Sequence, residues 1–474
     1  MEGGFWRRLL RAVKSMQRRS GFAKVQNLSF GVGDSLGSKK VLQELRRGAC
    51  VWILGVKYEF PVIDEEWTAN CGESSSEIDP EDNKNDRGIS HEAGCEPGDV
   101  DNTAQAWAEV CEKLFWDVKS RVWIMYRQNF EPLGKKGMES DVGWGCTLRS
   151  GQMMLAQTLC FLRLGRDWRL HHMQSQETRN QSKLEDEMMP NFTQEVLEIL
   201  EMFFDSSNDQ SVFSLHQIFE RTAQAPTSYG RPGQWLGPAA VSQLLAEALN
   251  SCRDLGLRGC VLSDMGGGAP TLSSKALNRH ATGQNVQTVE CHACEKAGTD
   301  GGTFTPLLVF IPLVLGIDEL NEAYIPQLQA VLAWKWTVGI VGGTGGSSVY
   351  VVGTSHTGAP IIMDPHTVKK AAGGYEDLTS FFGADARILD WMELDPSLCL
   401  GFLCQHQDDL ERFCKCFSDL QGAFPHAPLV YVSEDQALET IHKSHMHPSA
   451  PSMPLDGSSP NFPIAAEDEE WQLL

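Results

Sequence analysis

No run of apolar residues in this chain is long enough to cross a bilayer. The longest, PLLVFIPLVLGI from Pro306 to Ile317, carries two prolines. It falls short of the roughly 20 residues a spanning helix requires and predicts a buried strand instead. Basic charge is also scarce, with 40 Lys and Arg facing 62 Asp and Glu for a formal net charge of -22. Phosphate backbones are bound by clustered Lys and Arg, so this balance argues against nucleic acid as a general partner and suits a basic partner or substrate face. No secretory signal is read at the start. Without one, the 14 cysteines, scattered irregularly over 474 residues, are expected to be reduced thiols of a cytoplasmic protein rather than a disulfide framework.

What is present divides the chain into three parts. Residues 1–44 form a variable basic segment, in which MEGGFWRRLLRAVKSMQRRSGFAK sets Trp6, Leu9, Leu10 and Val13 on one helical face. Three readings fit it: an ordinary N-terminal helix, a segment drawn to an anionic membrane surface, or an organelle-targeting peptide. Residues 45–425 have the composition of one folded domain. They are interrupted at 61–103 by an acidic, Ser- and Asn-rich insertion that buries too little apolar surface to offset its ordering entropy. Residues 426–474 are rich in Pro, Ser and His, end in EDEEWQLL, and predict a flexible tail.

Within the domain, CVWILGVKYEF (Cys50–Phe60) is strand-like, and AWAEVCEKLFWDVKSRVWIMYRQNF has helical apolar spacing. Leu148, Leu155, Leu159 and Leu162 recur as on a helix, and further helices are predicted over 191–204 and 238–250. A Gly-, Ser- and Thr-rich stretch over 264–302 predicts loop. It is followed by four strand segments, LLVFIPLVLG, TVGIVGG, SSVYVVGTS and APIIMDPH, the last two joined as a hairpin through SHTG. Helices first and adjacent strands later predict an α+β fold, with helices packed on a mostly antiparallel sheet.

A thiol attacks carbonyls as thiolate, so a catalytic cysteine needs a helix N-terminus, a histidine, or both, to lower its pKa. Cys146, in SDVGWGCTLRSGQMMLAQTL, has the first by sequence: Gly143 and Gly145 permit a tight turn, and a helix begins at the cysteine. The competing reading is a buried small residue. In IIMDPHTV, Pro365 enforces extension of Asp364, and residues i and i+2 of an extended chain share a face. Asp364 and His366 are therefore presented side by side, as a base and its orienting carboxylate require. Alternatively the segment is a plain Asp-Pro turn with an exposed histidine.

The segments MYRQNF, SDVGWGCTLRSGQMMLAQ, LGRDW, GQWLGP, IPLVLGIDELNEAYIPQLQ, VGIVGG, DPHTV and GFLCQHQDDLERFC follow one another in an order that resembles the autophagins. These are the autophagy-related protein 4 cysteine proteases, which have a papain-like fold. The likeness runs from about Val51 to Phe417 outside the insertion, and is nearest in style to plant and green-algal members. It implies Cys146 as nucleophile, His366 as base, Asp364 as its orienting partner, and Tyr126 as the hydroxyl that helps form the oxyanion hole. Trp235 corresponds to the tryptophan that covers the glycine before the cut. Gly342 and Gly343 open the stretch that stands where the family has a mobile loop; many members have Lys-Pro where this chain has Thr344 and Gly345.

The resemblance further implies a substrate and setting. A ubiquitin-like autophagy modifier would be cut after its C-terminal glycine and released from phosphatidylethanolamine, with transient contact to autophagic membranes and no cofactor or metal. Trp471 and Leu474 of the terminal EDEEWQLL look like a short motif that docks on such modifiers by adding a strand, the alternative being a solvated acidic tail. Cys291, His292 and Cys294 in ECHACEK could begin a zinc site or a redox pair. No second ligand pair of matching spacing follows, so they read as loop thiols.

Overall fold

The computed structural model describes residues 49–61, 97–170, 192–222, 230–263, 269–283, 303–383 and 386–433. The basic segment, most of the acidic insertion, Cys291, His292, Cys294, Trp471 and Leu474 lie outside them.

In chain order, a hairpin of β1 (Cys50–Ile53) and β2 (Val56–Glu59) precedes helix α1 (Pro97–Lys119), then β3 (Tyr126–Leu133) and β4 (Met138–Ser140). Helices α2 (Cys146–Leu164), α3 (Gln194–Glu201), α4 (Leu215–Thr222) and α5 (Pro238–Ser251) follow. Next come β5 (Arg258–Val261), β6 (Thr271–Leu272), α6 (Ser274–Thr282), β7 (Leu307–Val314), α7 (Ile325–Leu332), β8 (Thr337–Thr344) and β9 (Ser347–Thr354). The chain continues through β10 (Pro360–Met363), β11 (Val368–Lys370), β12 (Arg387–Ile388), β13 (Ser397–Cys404), α8 (Gln407–Ala423) and β14 (Tyr431–Val432).

The main sheet runs β12-β10-β9-β8-β13-β7-β5, with β1 also on β9 and β2 on β1. Every pair in it is antiparallel except β5 with β7. Both faces are covered, which is why its central strands read as continuous apolar runs rather than as alternating ones. Along β7, Leu308 and Phe310 enter one core while Leu307, Val309, Ile311 and Leu313 enter the other. Along β13, Cys399 and Leu403 face the first core and Leu400 and Phe402 the second. The first core is filled by α2, whose residues 146–161 are all buried, and by α5. The second is closed by α7 and α8, where Phe402, Phe413 and Phe417 meet edge to face or tilted, 5.0–5.6 Å apart. The α+β expectation holds, and the strand predicted over PLLVFIPLVLGI is β7.

Several local expectations change. CVWILGVKYEF is a hairpin rather than one strand, because Leu54 and Gly55 take positive φ (43° and 79°), and the Gly55 Cα lies against the Trp334 carbonyl where no Cβ fits. Helical spacing predicted through Phe130 fails after Lys119: residues 126–133 are a strand because β11 and β4 take up their backbone groups. Within the supposed loop over 264–302, Ser273 caps α6 by accepting the Ala276 N–H, and Leu277 and Ala281 are buried. At the insertion's expected end, α1 begins at Pro97 rather than after 103. Past residue 425, Leu429 and Val430 are buried and β14 pairs with β6. Buried Gln327 holds that segment, donating to the Ala427 carbonyl (2.7 Å) and accepting the Leu429 N–H (3.1 Å). No helix among the described residues is long and apolar enough to cross a membrane.

Candidate active site

Cys146 is the first residue of α2, and the turn before it shapes its surroundings. The Asp141 carbonyl accepts the N–H groups of Trp144 (3.1 Å) and Gly145 (2.8 Å), which winds residues 141–145 tightly into the helix. Gly143 takes φ 84° with open space where a side chain would stand. Gly145 is different: a Cβ there would lie 2.3 Å from the Asp141 carboxylate, so this glycine is required by packing rather than by access to the sulfur. The helix start carries no side-chain cap, leaving its first N–H groups and the positive end of the dipole for the cysteine and what it binds.

Three groups reach the Cys146 sulfur. The His366 ring, the Tyr126 hydroxyl and the backbone N–H of Ser348 on β9 face it as donors that favour its thiolate. Burial alone would raise the thiol pKa; these donors and the His366 charge outweigh it and hold the thiol below its ordinary value. His366 uses Nδ1 to donate to Asp364 Oδ1 at 2.5 Å, and its buried Nε2 has no other hydrogen-bond partner among the described residues, which leaves it for the sulfur and the substrate. Burial would lower the imidazole pKa, but Asp364 and Cys146 together raise it to about 9. Desolvation likewise opposes ionisation of Asp364, and His366 and Arg387 reverse it, keeping the carboxyl below its usual range.

Tyr126 stands edge-on to His366, ring centroids 5.2 Å apart. Its phenol is pushed up chiefly by burial, then by the nearby Cys146, with the Gly143 backbone opposing them, so it stays a neutral donor. Backbone bonds fix these positions. The Tyr126 N–H donates to the Pro365 carbonyl (2.8 Å), β3 and β11 pair in parallel with Tyr126 opposite Val368, and the Trp123 indole donates to the Asp364 carbonyl (2.8 Å).

Behind the site lies a buried, charge-balanced group that the sequence reading missed. Arg149, one turn into α2, bridges Asp141 (2.8 Å) and Asp205 (2.8 Å), and Arg127 lies 3.6 Å from Asp205. The Arg127 N–H donates to Asp141 (2.7 Å), and the Ala372 N–H donates to Asp205 (2.8 Å). The strand of Tyr126, the turn of Cys146 and the chain after His366 are thereby tied together. A charged Asp and Arg flanking the cysteine within an otherwise apolar stretch were the available signal.

Gly342 and Gly343 lie just before the last residue of β8, Thr344, facing Val349 and Ser348 across a hairpin closed by Gly345 and Gly346 at φ 56° and 82°. Asp395 clasps this hairpin, its N–H donating to the Gly343 carbonyl (2.9 Å) and its carboxylate accepting the Gly345 N–H (3.2 Å). The stretch expected to stand as a mobile loop is thus a tight turn held from outside. Trp235 stands apart. It is 44% exposed on the 230–237 loop and, among the described residues, has neither a ring partner nor a hydrogen bond to the Cys146 group.

A cysteine paired with histidine at a helix N-terminus, on an α+β fold of papain-like build, defines a thiol peptidase. Residues 111–416 match the model of the peptidase C54 catalytic domain, and the chain belongs to that family. It is 33% identical over 376 residues to cysteine protease ATG4b of Arabidopsis thaliana, covering 76% of this chain and 70% of that one. Against cysteine protease ATG4A of Oryza sativa subsp. japonica the identity is 31% over 460 residues, covering 91% and 84%. With cysteine protease ATG4B of Xenopus laevis it is 30% over 382 residues, covering 77% and 89%. The chain is a thiol-dependent protease.

Proposed function

We propose that the protein cleaves a ubiquitin-like autophagy modifier after its C-terminal glycine, and by the same chemistry frees the modifier from phosphatidylethanolamine. The observation that carries this reading is Cys146 at the start of α2 together with His366, whose Nδ1 is held by Asp364 at 2.5 Å, within a chain that matches the peptidase C54 catalytic domain over residues 111–416. Cys146 attacks the acyl carbon after glycine, His366 protonates the departing amine, and a thioester forms. His366 then takes a proton from water, and the hydroxide releases the glycine carboxylate. Asp364 orients the imidazole, while the Tyr126 hydroxyl and the Cys146 N–H stabilise the oxyanion. Peptide and lipid amide present the same acyl carbon, so one site serves both.

Trp235, large and half exposed, is suited to lie over an extended tail, where a flat ring leaves room only for a residue without a side chain. The open space beside Gly143 supports the same glycine requirement from below. Trp471 and Leu474 are proposed to dock the modifier a second time, in keeping with the acidic net charge of -22 and a basic partner face. The reaction calls for no cofactor and no nucleic acid. It would take place in the cytoplasm, with brief visits to autophagic membranes. The test is processing of a modifier precursor bearing a C-terminal extension. The wild-type protein cuts after glycine and Cys146→Ala does not; cleavage that survives the substitution refutes the assignment.

A further inference from the structure

The Asp364 carboxylate has two oxygens, and only one serves His366. Oδ1 accepts both the ring N–H (2.5 Å) and the backbone N–H (3.0 Å) of His366. Oδ2 accepts a hydrogen bond from Arg387 Nη2. Arg387 begins β12, whose backbone is paired to β10 with Arg387 opposite Ile362 and Ile388 opposite Ile361. Ile362 and Asp364 are two residues apart, so the guanidinium reaches the carboxylate from a register fixed by the sheet rather than from a free loop.

A carboxylate can turn about its Cβ–Cγ bond, and Asp364 keeps 24% of its side chain exposed. Water could therefore draw it away from the imidazole. A cation on the far oxygen opposes that rotation and keeps the carboxyl ionised, as the lowered Asp364 pKa reflects, with Arg387 among its causes after burial and His366. Arg387 itself is 45% exposed, so as a surface ion pair it adds little to folding stability. Its effect falls on geometry and ionisation at the site.

We propose that Arg387 is a positioning residue of the reaction: it pins Asp364 against His366 and so widens the pH range over which the Cys146 thiolate and His366 imidazolium coexist. This deepens the proposed function and rests on it. The effect runs through one route. Arg387 holds Asp364, Asp364 holds the proton on His366, and protonated His366 holds the thiolate.

The test has a readout that needs no substrate. Alkylation of Cys146 by iodoacetate, an anion that the imidazolium draws in and whose rate therefore falls at both limbs, is followed against pH by peptide mass spectrometry in the wild type, Arg387→Ala, Arg387→Lys, Asp364→Asn and the Arg387→Ala, Asp364→Asn double variant. Arg387→Ala is expected to narrow the reactive window from both sides, the thiolate appearing at higher pH and the imidazolium lost at lower pH. Arg387→Lys should restore most of the window, and Arg387→Ala should change nothing further once Asp364 is Asn. In turnover of a modifier precursor, Arg387→Ala should lower kcat about tenfold with KM unchanged, the scale of a misplaced catalytic group. A wild-type window in Arg387→Ala overturns the proposal. So does a window widened on the alkaline side, which marks Arg387 as only a positive charge opposing the imidazolium. Failure of the wild type to cleave any modifier, with the window narrowed as described, sinks the substrate reading and leaves the role of Arg387 standing.

Discussion

At Cys146, ionisation is set by groups from separate parts of the chain: the start of α2, the Tyr126 strand, the β9 backbone at Ser348, and the Asp364–His366 segment. The thiol pKa is lowered and the imidazole pKa raised to about 9, so the ion pair exists between the two. The sign follows from these directions. In the proposed mechanism, activity is expected once the thiol has ionised, below its usual range, and is expected to fall as pH rises through about 9, where His366 gives up the proton that the leaving amine needs. A profile of kcat/KM against pH should therefore show its alkaline limb near 9 in the wild type, and Asp364→Asn should move that limb down by removing the chief group that raises the imidazole.

Among the elements, the hairpin of β8 and β9 and the buried Asp141, Arg149, Asp205 and Arg127 group have separate jobs. The Ser348 backbone favours the Cys146 thiolate, and the hairpin carrying it is fastened by Asp395, so any opening of that hairpin toward a substrate tail has to break this clasp. Losing a hydrogen bond of about 1 kcal/mol shifts such an equilibrium about fivefold. Asp395→Ala is accordingly expected to raise kcat/KM by up to that factor on modifier precursors; a lower value would mean that the clasp assembles the site rather than guarding it. Arg149→Met leaves two carboxylates buried without their shared cation, and urea denaturation should find it less stable by about 3–5 kcal/mol. Of these jobs only the second left a sign in the sequence, the charged Asp141 and Arg149 on either side of the cysteine. Cys146, Asp364 and His366 were legible because their signals are local, a glycine turn before a helix and two residues on one face of an extended strand. Arg387, Asp205 and Asp395 gave no local sign, since each meets its partner only through strand register or across the core. The same reason explains β3, where helical spacing misled because pairing with β11 and β4 decides its conformation.

For the molecule as a whole, the two-sided sheet explains why one domain of this size holds together and where it ends. The predicted boundary at 425 came from a change in composition, but Leu429 and Val430 are buried and Gln327 satisfies the backbone around them. A chain ending at Pro425 should be less stable than one ending at Ser433 by about 3 kcal/mol or more, the burial of Leu429 and Val430 that only the longer chain keeps. Thermal unfolding followed by circular dichroism separates the two.

The charge-balanced group behind the site has a temporal meaning as well. The carboxylates and guanidinium groups that tie Cys146 to the His366 segment come from β3, the Cys146 turn, α2 and the chain after α3, while the histidine arrives much later in synthesis. Until that last segment is in place, Cys146 lacks the imidazolium, and of the groups that favour its thiolate only the helix start, Tyr126 and the Ser348 backbone can act. A half-made chain thus carries a less reactive sulfur, and full reactivity waits on the segment that brings His366.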